Sequence, residues 1–119
     1  MSEAQASTRA TGRDLTAFQR NILTVLVEKP RYGLAIKREL EAYYDEEINH
    51  GRLYPNLDDL VEMGYIEKSE LDKRTNEYAL TEQGIEAVLD GLEWRLGKFV
   101  TDEERAEDIR AILDDQDLS

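Results

Sequence analysis

The sequence contains no cysteine, one histidine, one tryptophan, two prolines and five lysines against ten arginines. Without thiols there are no disulfides, no thiolate metal sites and no sensing by sulfur oxidation at cysteine. With a lone histidine and no glycine-rich phosphate loop, no nucleophile, base and orienting group come together. No catalytic residue, metal ligand set or cofactor is therefore expected, and an enzyme is the weakest reading. No apolar run approaches the roughly 18 residues that a membrane span needs. The polar N-terminus has no signal-peptide core, so a cytoplasmic protein with no membrane partner is expected.

What the chain does have is acid. Its 119 residues carry 27 Asp and Glu against 15 Lys and Arg, a net charge of −12, while 40% hydrophobic residues suffice for one domain with one core. An acidic, lysine-poor surface suits concentrated salt, where carboxylates hold water and cations and salt screens their repulsion. Acidity argues against a polyanionic partner unless it is unevenly spread. Residues 1–80 hold 11 bases and 15 acids, whereas residues 81–119 hold 4 bases and 12 acids. The bases of the first part gather at Arg31, Lys37 and Arg38, at Arg52, and at Lys68, Lys73 and Arg74, which allows a local basic face on an acidic body.

Three segments follow from pattern. Residues 1–13 lack periodicity and read as a flexible N-terminal arm. Residues 14–81 read as helix, turn, helix, helix and hairpin. Phe18, Ile22, Leu23, Val25, Leu26 and Val27 give a wide apolar face to a helix over Thr16–Glu28, which Lys29-Pro30 ends. Tyr32-Gly33 reads as a turn and Leu34–Tyr44 as a second helix. Asn49 caps a third helix whose apolar stripe is Leu53, Leu57, Leu60 and Val61, and Gly64 ends it. Tyr65–Leu71 and Glu77–Leu80 flank the charged turn Asp72–Asn76 as a β-hairpin with two bases at its tip. Residues 82–119 read as a C-terminal helical dimerisation segment. Thr81 caps a helix whose seam of Ile85, Val88, Leu89, Leu92, Leu96 and Phe99 exceeds what so small a domain can cover, and Trp94 lies off that seam. Thr101 to Glu104 reads as a capping box with Thr101 at the N-cap. The expected architecture is mainly α with a small β-hairpin: a winged helix-turn-helix with C-terminal dimerisation helices.

The block from Gly51 to Ile66, with Leu53-Tyr54-Pro55, the Leu57-x-x-Leu60 step and Gly64 before Tyr65-Ile66, resembles the signature of the PadR-like transcriptional regulators. Tyr32-Gly33-Leu34-Ala35-Ile36 resembles the opening of that family's second helix. Tyr78-Ala79-Leu80-Thr81-Glu82-Gln83-Gly84 resembles its exit from the wing. The matches run in family order over roughly residues 16–90. The resemblance implies a homodimer that binds palindromic promoter DNA. The acidity and short chain resemble those of a haloarchaeal family member of the oxidative stress response.

On that reading Arg52 is the leading base reader, because its planar fork matches the two major-groove acceptors of guanine. Its bland alternative is a surface arginine paired with Asp59 or Glu62. Asn56 is placed to read adenine, or else faces solvent. His50 is placed to donate to a phosphate beside the helix amides, or is a local cap. Tyr54 bonds a phosphate or fills space against the wing. Pro55 cannot donate to the Gly51 carbonyl and is expected to mark a break that brings the Gly51 backbone to DNA. Lys73 and Arg74 at the hairpin tip, with Lys37, Arg38 and Arg31, are the remaining DNA candidates. Asp58 and Asp59 must turn away from phosphates or be offset by bound salt ions at the DNA interface. The alternative of a different class is a winged-helix protein–protein interaction module that touches no DNA; it gives no reason for bases at Arg52, Lys73 and Arg74 together.

Overall fold

A computed structural model of the protein describes residues 14–72 and 75–116. Its elements run α1 (Ala17–Glu28), β1 (Arg31–Tyr32), α2 (Gly33–Tyr44), α3 (His50–Glu62), β2 (Ile66–Asp72), β3 (Thr75–Leu80), α4 (Glu82–Phe99) and α5 (Glu103–Asp115). Among the described residues this is a mainly α winged helix. The sheet order is β1-β3-β2, with both pairings antiparallel.

Helix starts are set by side chains that satisfy amides the helix itself cannot. Thr16 Oγ1 accepts from the Gln19 amide while Gln19 Oε1 accepts from the Thr16 amide, a reciprocal capping box. Asn49 Oδ1 accepts from the Arg52 amide at 2.8 Å. Thr81 Oγ1 accepts from the Gly84 amide and donates to the Gly64 carbonyl at 2.7 Å, tying the start of α4 to the end of α3. Gly64 takes φ +86°, a left-handed turn in which a side chain would be strained.

One core joins the first three helices to the root of the hairpin. Ile22, Leu23 and Leu26 of α1, Ile36 and Leu40 of α2, and Leu53, Leu57 and Leu60 of α3 meet Ile48, Tyr65, Ile66 and Tyr78. Each helix buries the residues that recur three and four apart. Val27, Leu34 and Tyr43 belong to the same apolar runs but stay exposed.

Several expectations need correction. Tyr32-Gly33 is not a turn, and Arg31-Tyr32 is extended. The latter is a short strand paired with Tyr78 and Glu77 of β3, so the sheet has three strands and α2 starts at Gly33. Pro55 lies inside a continuous α3 rather than at a break, because one missing amide leaves the rest of the helical ladder intact. The cap of α5 is Asp102, whose carboxylate accepts from the Arg105 amide, and not Thr101. Trp94 is 66% exposed, with the Lys98 ammonium 5.8 Å from its ring. The arm 1–13, Lys73 and Arg74 lie outside the described residues.

Candidate nucleic-acid interface

The first turn of α3 is where sequence and geometry converge. Leu53, Leu57 and Leu60 pin one face of this helix in the core, so Gly51, Pro55, Asp58 and Glu62, recurring four and three apart, form its outward ridge. Asn49 satisfies the Arg52 amide, which leaves the His50 and Gly51 amides at the positive end of the helix with no intrahelical partner. His50, Gly51 and Arg52 are all exposed.

Arg52 does not lie loose on the surface. Its guanidinium carbon sits 3.9 Å from the centre of the Phe18 ring on α1 and 5.9 Å from that of Tyr44 on α2. It makes no ion pair among the described residues, so neither Asp59 nor Glu62 neutralises it. An arginine stacked on an aromatic face keeps its N–H edge free for a planar acceptor pair.

Asn56 stands one turn on and is engaged from two sides. Its Oδ1 accepts from Gln19 Nε2 at 3.2 Å, and its Nδ2 donates to the Arg52 carbonyl at 2.8 Å. Tyr54 is half-buried. A methyl group on Gly33 would come within 2.6 Å of the Tyr54 hydroxyl, so Tyr54 fills the space at the start of α2. The His50 ring stacks on Tyr54, centroids 5.5 Å apart and 9° from parallel.

The other bases differ in availability. Arg38 is exposed and makes no ion pair among the described residues. Lys37 is bound to Glu41 at 2.8 Å, in an open depression of about 500 Å³ that Asp45, Glu46 and Glu47 also line. Glu41 is held below the ordinary carboxylate range, first by the Lys37 hydrogen bond and then by the Ile48 amide. A phosphate approaching Lys37 would meet four carboxylates. Arg31 is spent on the end of α1, donating to the Val25 carbonyl and pairing with Glu28. Asp58, Asp59 and Glu62 are exposed along the second half of α3, so only its first half offers a face to a polyanion.

Phe18 and Gln19, which were not among the expected site residues, also belong to this region. The Thr16-x-x-Gln19 spacing of a capping box was the available signal for Gln19; nothing in the sequence marks Phe18 as other than core.

The seam on α4 splits as a two-sided helix would. Gly84, Ala87 and Val88 turn toward the core, while Ile85, Leu89, Leu92 and Phe99 are each 40% exposed or more. Ile112 and Leu113 of α5 are more than half exposed as well. No described helix is long and apolar enough to cross a membrane.

Comparison with known structures places this arrangement. The chain is similar to a complex described as hsRosR-S4, with 69% identity over 91% of this chain and 94% of that one and a TM-score of 0.88. It is similar to H. salinarum RosR grown from NaBr, with 72% identity over 87% and 94% of the two chains and a TM-score of 0.85. F93 from STIV, a winged-helix DNA-binding protein, shares the fold at 24% identity over 71% and 90% of the chains, with a TM-score of 0.57. A comparison with curated proteins gave no match. The model of the transcriptional regulator PadR-like family matches residues 22–89, from the middle of α1 through the wing into α4. The chain therefore belongs to the PadR-like family of transcriptional regulators and is not an enzyme.

Proposed function

We propose that the protein is a homodimeric, sequence-specific DNA-binding regulator that occupies palindromic promoter sites in a stress response, oxidative in the first instance, of a salt-adapted archaeon. The observation that carries this reading is the exposed first turn of α3, with Arg52 stacked on Phe18 and no carboxylate partner among the described residues. Arg52 reads a base, His50 and the Gly51 backbone meet a phosphate, and Arg38 meets the flanking strand. Lys73 and Arg74 brace the duplex from the hairpin tip. Tyr54 and Asn56 hold the helix, and Lys37 and Arg31 are tied to carboxylates. The helix enters the groove by its N-terminus, which keeps Asp58, Asp59 and Glu62 farthest from phosphates; bound cations bridge those that remain close.

The second copy docks on the exposed seam of Ile85, Leu89, Leu92 and Phe99, together with the half-buried Val88 and Leu96. A two-fold dimer is the geometry that a palindromic site matches. The similarity to RosR of H. salinarum supports the salt-adapted setting. In molar salt, release of counterions from DNA gains little, so direct contacts and shape carry the affinity and its salt dependence is shallow or reversed.

The test is a binding titration on the protein's own promoter at its native ionic strength. Arg52→Ala is expected to lose about 1–3 kcal/mol of discrimination at one base pair. Arg74→Ala is expected to weaken all duplexes alike. A monomer that ignores every duplex would refute the proposal, and a steep loss of affinity across the molar salt range would refute its account of salt. Transcript profiling of a deletion strain under peroxide tests the oxidative assignment; without cysteine, that signal reaches the protein by another route.

A further inference from the structure

Tyrosines apart, Gln19 is the one polar side chain that is buried among the described residues. A buried amide demands partners for both its ends. Its oxygen accepts from the Thr16 amide at 3.1 Å, and its nitrogen donates to Asn56 Oδ1 at 3.2 Å. The Asn56 nitrogen in turn donates to the Arg52 carbonyl at 2.8 Å. Three hydrogen bonds thus run in one direction, from the cap of α1 to the backbone of Arg52. Each amide accepts at oxygen and donates at nitrogen. Turning Asn56 over would set its NH2 against that of Gln19 and its oxygen against the Arg52 carbonyl, so the network admits one orientation.

The neighbouring residue completes the grip. Phe18 presents its ring 3.9 Å from the Arg52 guanidinium carbon. The first turn of α1 therefore holds Arg52 at two points, the carbonyl through Gln19 and Asn56 and the guanidinium through Phe18. An arginine ordered before it meets DNA loses less freedom on docking, and its bidentate geometry with a base tolerates little displacement.

We propose that Gln19 is a positioning residue: through Asn56 it fixes where Arg52 stands in the groove, and so sets discrimination at the base pair that Arg52 reads. This rests on the reading of Arg52 given above. Asn56 then acts as a strut and not as an independent reader of adenine.

The experiment uses the full-length protein and a panel of promoter duplexes in which each base pair of a half-site is replaced in turn, with affinity measured by fluorescence anisotropy at fixed salt. The variants are Gln19→Met, which keeps length and charge and removes both hydrogen bonds, Asn56→Ala, Arg52→Ala and the double variant Gln19→Met with Arg52→Ala. Arg52→Ala is expected to lose roughly 5- to 150-fold of discrimination at one base pair. Gln19→Met and Asn56→Ala are expected to lose severalfold at that same base pair, with binding to unrelated duplex and the salt slope unchanged. The double variant is expected to be no worse there than Arg52→Ala, because a positioning residue has nothing left to position.

Three results overturn the inference and leave DNA reading by Arg52 standing: full discrimination in Gln19→Met, a uniform loss on all duplexes, or loss at a different base pair in Asn56→Ala. If Gln19→Met does not fold, Asn56→Ala, at a half-exposed position, decides the matter alone. If Arg52→Ala itself leaves every base pair as well discriminated as before, base reading by Arg52 fails, and the role of Gln19 fails with it.

Discussion

Gly84 and Gly97 lie on the same helix, and replacing each by alanine should shift stability in opposite directions. Helix propensity alone favours alanine at either site by about 1 kcal/mol. At Gly97 nothing lies within 4 Å of a new methyl group, so that gain is expected in full. At Gly84 the methyl group would sit inside the van der Waals shell of the Tyr65 carbonyl oxygen and 2.8 Å from Leu80 Cδ2. The carbonyl is backbone and cannot swing aside as a side-chain end can. It also accepts the Thr81 amide at 3.1 Å, the bond that seats the start of α4 on the root of the wing. Forcing the two apart costs about 1–3 kcal/mol as overpacking, and losing that hydrogen bond adds about 1 kcal/mol. Against the propensity gain, Gly84→Ala should destabilise by about 1–3 kcal/mol. That lowers Tm by somewhere around 4–12 °C at roughly 4 °C per kcal/mol. The measurement is thermal unfolding of both variants in one buffer at one salt and protein concentration. Equal or raised stability in Gly84→Ala would refute the close approach of α4 to Tyr65, and with it the way the helix is seated.

Three further outcomes are expected. Glu41 has a folded pKa below its ordinary value of 4.5, so its stabilisation is complete above that pH and is lost as pH falls through the folded value; in acid titrations followed by circular dichroism, Glu41→Gln should remove part of the acid limb and leave stability near neutrality lower and flatter. The Tyr65 hydroxyl is buried with no well-formed hydrogen bond among the described residues; burial pushes its pKa up, while the Gln83 side chain beside it acts in the opposite direction. Tyr65→Phe should therefore be neutral or stabilising by up to about 1 kcal/mol in denaturant unfolding, and a loss of more than that would reveal a partner for the hydroxyl. Leu92 is 47% exposed and outside the core, so Leu92→Glu should leave the winged domain folded while converting the proposed dimer to monomer in sedimentation; a persistent dimer would move the interface off this seam.

What could be read from the chain alone was local in origin. The stripe of Leu53, Leu57 and Leu60, the caps at Asn49 and Thr81 and the turn at Gly64 each depend on residues a few positions apart, where helical and strand periods act. The same holds for the wing and for the exposed seam on α4, which is apolar beyond what one small core can bury. Tertiary packing decided the rest. Arg31-Tyr32 became a strand because β3, some 45 residues away, offered an unpaired edge, and a partner of that kind leaves no local mark. Asn56 was drawn inward by Gln19 across 37 residues, and Arg52 was laid on Phe18, because α1 packs across the start of α3. Lys37 was claimed by Glu41 one turn away, although a phosphate and a carboxylate would suit its ammonium equally. Local rules place a side chain on a face of its helix; which group waits opposite is set only when separate elements meet.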